Sequence, residues 1–476
     1  MDDRGVSGVE QLSREELLAL VVAQAQVIEQ LTARIAELER QLGRHSRNSS
    51  IPPSQDGLGK PPPRSMRGKS GRGPGKQPGA PGSGLSRVAV ADHVKRHFPS
   101  SCSRCSVTLD RAAVVGEAVC RQVFDLPVVR VEVTEHQMFA LRCACGTTTR
   151  AVAPTGVSAP TQYGPRLTAT AAYLSAQHHV PTARVTQILT DLAGVDVSTG
   201  WVVQACRRTE KAIAGANTAV RDALAGSPVV YFDESVTRIA GRNHWLHTAA
   251  TATLTAYHVD EHGRSGASIT AFGILPRFTG VAVHDAYSAY DTYTGCTHAL
   301  CNARIVREAA GINEFDPVAQ ADGWPAQLIA LLGDAHRWTT HWGGLGHERL
   351  PDFKLDDLHR RYDRIVERAL LLHPRRSGKQ SPATNLALRL HGRRDEFLRF
   401  ATDFRVGFSN NTAEQAIRMI KTKTKVSGGF RTLTGAQTFL ALRGYISTVR
   451  KNGIGILTAL RDALTGTPWM PAILTT

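Results

Sequence analysis

Two acids close apolar runs in this chain: Asp233 follows Val-Val-Tyr-Phe, and Asp285 follows Val-Ala-Val-His. Runs of that length and β-branched content read as short buried strands ending in acid. If the two strands are neighbours in one sheet, both carboxylates emerge at the same edge, where hard oxygen ligands can hold divalent cations over a crevice. Acids at strand ends are common, so the pair alone is weak evidence of a site and reads first as two ordinary strand termini. A third acid changes the balance. In NNTAEQAIRMIKTKTK, Asn411 is placed to cap a helix with Glu414 in its first turn, and capping by itself explains an acid there. Yet Arg418 follows one turn later and Lys421 nearly two, and Lys423, Lys425 and Arg431 extend the basic surface. One helix face thus runs from acid to bases, the asymmetry that a metal-binding carboxylate beside phosphate-binding cations would use.

Sulfur supplies a second constellation. Cys102 and Cys105 form one close pair, Cys143 and Cys145 another, separated by a strand-rich interval. Two such pairs can give four thiolates to a tetrahedral Zn²⁺, which would stabilise a module of about sixty residues whose own core is small. His97 is a possible substitute ligand for that metal and Cys120, between the pairs, a core residue; the alternative to a metal site is buried thiols. A third feature is purely electrostatic: Lys60, Arg64, Arg67, Lys69, Arg72 and Lys76 lie in a Gly-, Pro- and Ser-rich stretch whose acid is Asp56. Such a segment cannot bury enough to offset its ordering entropy. It reads as a basic tether that holds phosphates without reading sequence, or as a solubilising linker.

These residues need elements to position them. Residues 13–42 read as a helix with Ile28, Ile35 and Leu42 at a positions and Leu31 and Leu38 at d, opened by a Ser13/Glu16 capping box. It is either a self-associating coiled coil or an amphipathic helix packed on its own protein. The tether spans 43–86 and the cysteine module 87–152, with two or three short strands. Residues 160–215 read as helices punctuated by Pro181, Gly194 and a Ser/Thr cap, a helix-turn-helix-like region or a plain helical hairpin. A mixed α/β region covers 227–301, with VVYFDE, WLHTAATATLTAYHV and GVAVHDAY as strands. Residues 302–400 read as mostly helical, with Glu314 and Asp316 as tolerant surface acids. The helix of Glu414 lies within 401–430, and 431–476 reads as a terminal helical pair.

The whole chain has 476 residues, about three domains' worth. Fifty-seven basic against 41 acidic residues give a formal charge of +16, and a polyanion is the partner this implies, with nucleic acid ahead of membrane. No apolar run approaches the roughly 18 residues of a membrane span. The N-terminus lacks the basic-then-apolar order of a signal peptide, so an intracellular protein is expected. Eight cysteines are too few for a disulfide scaffold.

The strings YFDE, VHDAYSAY, HALCNARIVRE and NNTAEQAIRMIKTKTKVSGGFRTLTGAQTF, with the upstream NSSIPPSQDG and GRGPGKQPG, resemble the insertion sequence 66 family of transposases along essentially the whole chain. The resemblance implies a multidomain protein: a leucine-zipper-like helix, a zinc-binding module and an RNase H-like α/β core with a helical insertion. It implies a catalytic triad of Asp233, Asp285 and Glu414. Two Mg²⁺, with Mn²⁺ as a substitute, would sit about 3.5–4 Å apart there, one activating water or a DNA 3′-hydroxyl, the other stabilising the leaving oxygen. The expected partners are double-stranded DNA with terminal inverted repeats and further copies of the chain on that DNA, with no membrane, in a cytoplasmic, nucleoid-associated setting. The chain departs from the family's usual residues at Arg304, where a histidine is common, and at Ser409 and Gln415 beside the third acid. The competing readings are an RNase H-like nuclease without integration activity and an inactive DNA-binding protein.

Overall fold

The computed structural model describes residues 13–43, 48, 79, 84–111 and 114–472. The tether cations Lys60, Arg64, Arg67, Lys69, Arg72 and Lys76 lie outside the described residues.

Helix α1 (Arg14–Gly43) begins with the expected capping box: the Ser13 amide donates to the Glu16 carboxylate at 2.8 Å, and the Glu16 amide to the Ser13 hydroxyl at 3.3 Å. Its stripe of Ile28, Leu31, Ile35, Leu38 and Leu42 is exposed. At the end of α1, Gly43 meets Phe315 so closely that a Cβ would stand 2.7 Å from the ring.

The cysteine region contains one antiparallel hairpin, β1 (Ala140–Arg142) and β2 (Thr148–Arg150), with Ala140 opposite Arg150. More strand was expected upstream. Val123, Leu126, Val128 and Val133 are instead exposed and unpaired. β-Branched residues favour extended backbone, but a ladder needs a partner, and two short strands are a marginal sheet.

Four helices follow: α2 (Pro165–Ala176), α3 (Thr182–Ala193), α4 (Thr199–Ala212) and α5 (Ala214–Ala225). Pro165 starts α2 at a position where its missing amide costs nothing, and α3 stops at Gly194, whose φ of 64° suits glycine. Ser198 caps α4 by accepting from the Trp201 amide at 3.1 Å.

The central sheet is built from β3 (Val229–Ile239), β4 (Arg242–Ala250) and β5 (Thr255–Val259), then, after α6 (Gly266–Phe272), from β6 (Val281–His284) and β7 (Thr297–Leu300). Its order is β5-β4-β3-β6-β7, the first three antiparallel and the last two parallel to β3. Two expectations need correction. β3 does not end at Asp233 but continues to Ile239, because β4 pairs with it from Tyr231 to the last residue. WLHTAATATLTAYHV is not one strand: the Thr251 hydroxyl accepts from the Leu254 amide at 2.9 Å, and this turn splits it into β4 and β5.

Between β7 and the next core helix lie α7 (Asn302–Phe315), α8 (Pro317–Asp322), α9 (Trp324–Gly344), α10 (Asp352–Leu372), α11 (Pro382–Gly392), α12 (Arg394–Phe397) and α13 (Arg399–Thr402). They close on Trp324, Leu328, Leu358, Tyr362, Leu386 and Phe397, all buried. Glu314 and Asp316 are not idle surface acids here. Asp316 caps α8 by accepting from the Val318 and Ala319 amides, both at 3.1 Å, and Glu314 accepts from Asn48 at 2.7 Å. The chain ends with α14 (Asn411–Ser427), α15 (Leu433–Lys451) and α16 (Ile456–Leu464). Helices α5 and α6 cover one sheet face through Val220, Leu224, Ile269 and Phe272. On the other, α14 and α15 pack over Ile239, Leu246 and Val259, while the helical insertion packs over Val229, Val281 and Val283.

Candidate active site

β3 and β6 part company at the site. Tyr231 is paired with Val283, so Asp233 and Asp285 each stand two residues further along neighbouring parallel strands, on the sheet face that α14 covers. Asp285 follows β6 directly, and its carboxylate accepts from the Tyr287 amide at 3.2 Å. Ala286 between them has a φ of 69°, unusual for a residue with a Cβ. The fully buried His284 holds this bend. Its Nδ1 accepts from the Ala286 amide at 3.2 Å, so its Nε2 carries the proton and donates to His298 Nδ1 at 3.0 Å. His298 Nε2 in turn donates to the Tyr293 carbonyl at 3.1 Å. Burial, then His298 and Arg393, lower the His284 pKa to about 3, which keeps the ring neutral.

Glu414 is the acid of the first turn of α14, but the cap is Asn410 rather than Asn411. Asn410 does not cap with its side chain. Its Nδ2 crosses to the Phe232 carbonyl on β3 at 2.7 Å, and its amide donates to Cys301 Sγ at 3.3 Å. Beside it, the Gly407 amide donates to the Tyr231 hydroxyl at 2.8 Å, and a Cβ on Gly407 would stand 2.9 Å from that oxygen. The start of the Glu414 helix is therefore fastened to the two strand residues that precede Asp233.

The charges of the other two acids reach Asp233. Burial first, then the charges of Glu234, Asp285 and Glu414, push the Asp233 carboxyl well above the ordinary carboxylate range. Such a shift records a carboxylate stripped of water first and crowded by like charge second, a combination that a cation would relieve. The donors are hard oxygens of the kind Mg²⁺ takes. Among the described residues, however, no three His, Cys, Asp or Glu side chains stand close enough to share one ion. Asp285 is instead held by the Arg304 guanidinium, which also reaches Glu308 at 3.1 Å. Arg389 pairs with the other Glu308 oxygen.

A fourth carboxylate went unnoticed in the sequence although it adjoins the first. Glu234 points to the opposite sheet face, where its side chain is 1% exposed. It accepts from Arg264 Nε at 2.9 Å and from the Tyr290 hydroxyl at 2.9 Å. Arg264 is itself clamped over the Tyr287 ring at 3.9 Å and the Trp245 ring at 4.8 Å. Burial and the Asp285 charge raise the Glu234 carboxyl, and Arg264 opposes them. The adjacent YFDE letters were the available signal; the partners, 30 and 56 residues away, carried none.

Along α14, Arg418 and Lys425 are exposed, Lys421 is half-buried and Arg431 is exposed beyond the helix. Lys423 is a correction. It is 9% exposed, its ammonium donates to the Gly428 carbonyl at 2.8 Å and sits 4.0 Å from the Phe430 ring centre, and burial lowers its pKa to about 8. Its spacing puts it on the inner helix face, so it closes the end of α14 rather than meeting a phosphate.

The cysteine pairs form two separate turns. The Cys102 amide donates to the Val107 carbonyl at 2.9 Å, and the Cys143 amide to the Thr147 carbonyl at 2.8 Å. Hydrogen bonds from the Cys105 and Arg104 amides lower the Cys102 thiol, and the Thr147 hydroxyl lowers Cys145 to about 7. Donors aimed at sulfur favour thiolate. The two pairs are not gathered into one ligand set among the described residues.

The sheet order and its flanking helices are consistent with an RNase H-like α/β core, with acids where the two central parallel strands part. A model of the "Transposase IS66 family" matches residues 160–438, more than half of the chain and all of the sheet, and the chain belongs to that family. Residues 8–86 match a "Family of unknown function (DUF6444)". No curated protein matches the chain. No helix among the described residues is long and apolar enough to cross a membrane.

Proposed function

We propose that this chain catalyses divalent-metal-dependent cleavage and strand transfer at the DNA ends of an insertion sequence. The observation that carries the reading is the convergence of the Asp285 and Glu414 charges on Asp233, at the parting of β3 and β6, in a chain of a transposase family. These three carboxylates would hold Mg²⁺, or Mn²⁺ in its place. When bound, the metal supplies an activated oxygen nucleophile and stabilises the leaving oxygen, and hydrolysis and strand joining differ only in which nucleophile is used.

The chain's own residues do the rest. His284 and Ala286 aim Asp285 from the end of β6, and Asn410 fixes the origin of the Glu414 helix against β3. Arg304 keeps Asp285 paired until a cation takes its place. Arg418, Lys421, Lys425 and Arg431 would hold the DNA backbone beside the acids, adding affinity more than sequence choice, and the tether cations would add to it from outside the core. Cys102, Cys105, Cys143 and Cys145 would bind one structural Zn²⁺ when the two turns close on it; the lowered thiols favour this. The bare stripe of α1 would be covered by a second copy of the same helix.

The direct test incubates the purified full-length chain with Mg²⁺ and a duplex carrying the inverted repeats that flank its gene. Nicks at the repeat ends and joined products are expected. Nicks without joining would leave a nuclease, and intact DNA would leave a binding protein.

A further inference from the structure

Helix α4 belongs to none of the machinery described so far, and its two faces differ sharply. Val202, Ala205 and Thr209 are buried, the first two with Ala171 of α2 and Val185 and Leu189 of α3. The outward face presents Thr199, Val203 and Gln204 in its first half and Arg207, Arg208 and Lys211 in its second, all exposed. The helix's acid, Glu210, is turned away and accepts from the Thr438 hydroxyl at 2.6 Å. Among the described residues none of its three cations is joined to an acid.

The approach to this face is rigid. After Gly194, the Val195 amide returns to the Leu189 carbonyl at 3.4 Å, and the Thr190 hydroxyl bonds Asp196 at 3.0 Å. Tyr163 braces the start of α4, with its ring centre 4.7 Å from that of Trp201 and its hydroxyl on the Asp196 carbonyl at 3.0 Å. A fixed helix, reached through a short turn from a supporting helix, can enter a major groove with its leading residues on base edges. Gln pairs with adenine through two hydrogen bonds, and an apolar side chain such as Val203 suits the thymine methyl. A single strand would need exposed aromatic platforms. The outward face has none, since Trp201 is turned onto Tyr163.

We propose that α4 lies in the major groove of duplex DNA, with Val203 and Gln204 reading bases and Arg207, Arg208 and Lys211 on the flanking phosphates. This rests on the reading of the chain as an enzyme of DNA ends, and names the surface that selects the end.

The experiment uses the full-length chain and a random-sequence duplex library. Selection yields a consensus, and affinities are then measured for the selected duplex, a scrambled duplex and a single strand across a salt series. A Val203→Ala/Gln204→Ala variant should lower the ratio of selected to scrambled affinity by about tenfold or more, with scrambled binding and salt slope unchanged. An Arg207→Ala/Arg208→Ala/Lys211→Ala variant should weaken both duplexes alike and reduce the salt slope by roughly 2 to 3. All five positions are exposed, so equal melting temperatures are expected. An undiminished ratio in the first variant, the absence of any consensus from the wild type, or tighter binding to the single strand overturns the assignment. Failure of metal-dependent cleavage in a wild type whose selectivity depends on Gln204 would remove the proposed chemistry and leave this surface standing. Intact cleavage with selectivity indifferent to Gln204 would do the reverse.

Discussion

The guanidinium of Arg304 sits on the carboxylate of Asp285, one turn into the helix that leaves the sheet beside it. A metal ion at Asp285 must therefore displace a resident cation. Removing one partner of a partly buried ion pair leaves the other charge uncompensated, at a cost of up to about 3–5 kcal/mol when burial is complete. Arg304→Ala should lower the melting temperature of the metal-free protein, and Mn²⁺ should raise it by more than in the wild type. Calorimetric Mn²⁺ affinity should increase about tenfold. Equal metal-induced shifts in the two proteins would show that Arg304 does not compete with the ion.

Asp233→Asn, Asp285→Asn and Glu414→Gln preserve volume while removing one charge and one metal-binding oxygen each. Nicking and joining should fall by at least about 10²–10³-fold in every case, a scale set by the loss of single electrostatic contacts at reacting centres. DNA affinity should persist. Glu261, exposed on the surface, is the appropriate control, because Asp316 and Glu314 have structural partners. A folded Glu414→Gln protein that cleaves at the wild-type rate would reduce the third acid to its place in the helix.

The raised Asp233 carboxyl makes stability depend on pH. Its folded pKa lies above the ordinary 3.8, so between those values the folded state binds more protons than the unfolded one. The stability this group contributes is present below pH 3.8 and is lost as pH rises through the folded value. In chelator, Asp233→Asn should melt a few degrees above the wild type at pH 8, and the gap should narrow toward pH 4. A gap that stays constant across that range would mean that Asp233 is not strained by its neighbours.

Asn410 offers a test of geometry rather than charge. Replacing it by Ala removes the bond to the Phe232 carbonyl and leaves a buried acceptor without a partner, a loss of about 1–3 kcal/mol. If the bond also positions Glu414, the variant should need more Mn²⁺ for half-maximal activity, while its DNA affinity is unchanged. Lowered stability with an unaltered metal requirement would confine Asn410 to holding the fold.

For the thiols, metal analysis of the full-length chain should find about one zinc, and Cys143→Ser should lose most of it. Equal zinc in both proteins would exclude a four-thiolate site.

What could be read from the letters follows physical range. The capping box of α1 was legible because Ser13 and Glu16 are three residues apart. The end of β6 was legible because Val-Ala-Val-His is bounded by an acid and a turn. β3 was cut short at Asp233 because an acid looks like a strand end, whereas its continuation depends on pairing with β4, which only the fold supplies. Local capping rules place Asn411 at the cap, because the spacing to Glu414 fits a capping box, whereas the use of the Asn410 side chain across the core exists only in the fold. Lys423 sounded like one more surface base until the helix was seen to turn it toward Phe430. The clamp of Arg264 on Glu234 was invisible for the same reason, since nothing local links residues on opposite sides of a folded sheet.

The helical excursion from α7 to α13 begins and ends at nearly one point. The Asn302 amide bonds the Phe408 carbonyl at 3.1 Å, and its side chain bonds the Phe397 carbonyl at 2.8 Å. Seen along the growing chain, Asp233 and Asp285 are made first, and the partner that completes them is separated by the whole detour. Glu414 follows only after the whole detour has been synthesised. The acidic centre thus cannot be complete before the chain has passed Phe408, and a ribosome-bound or truncated chain lacking residues beyond it would carry two of the acids with no third to join them.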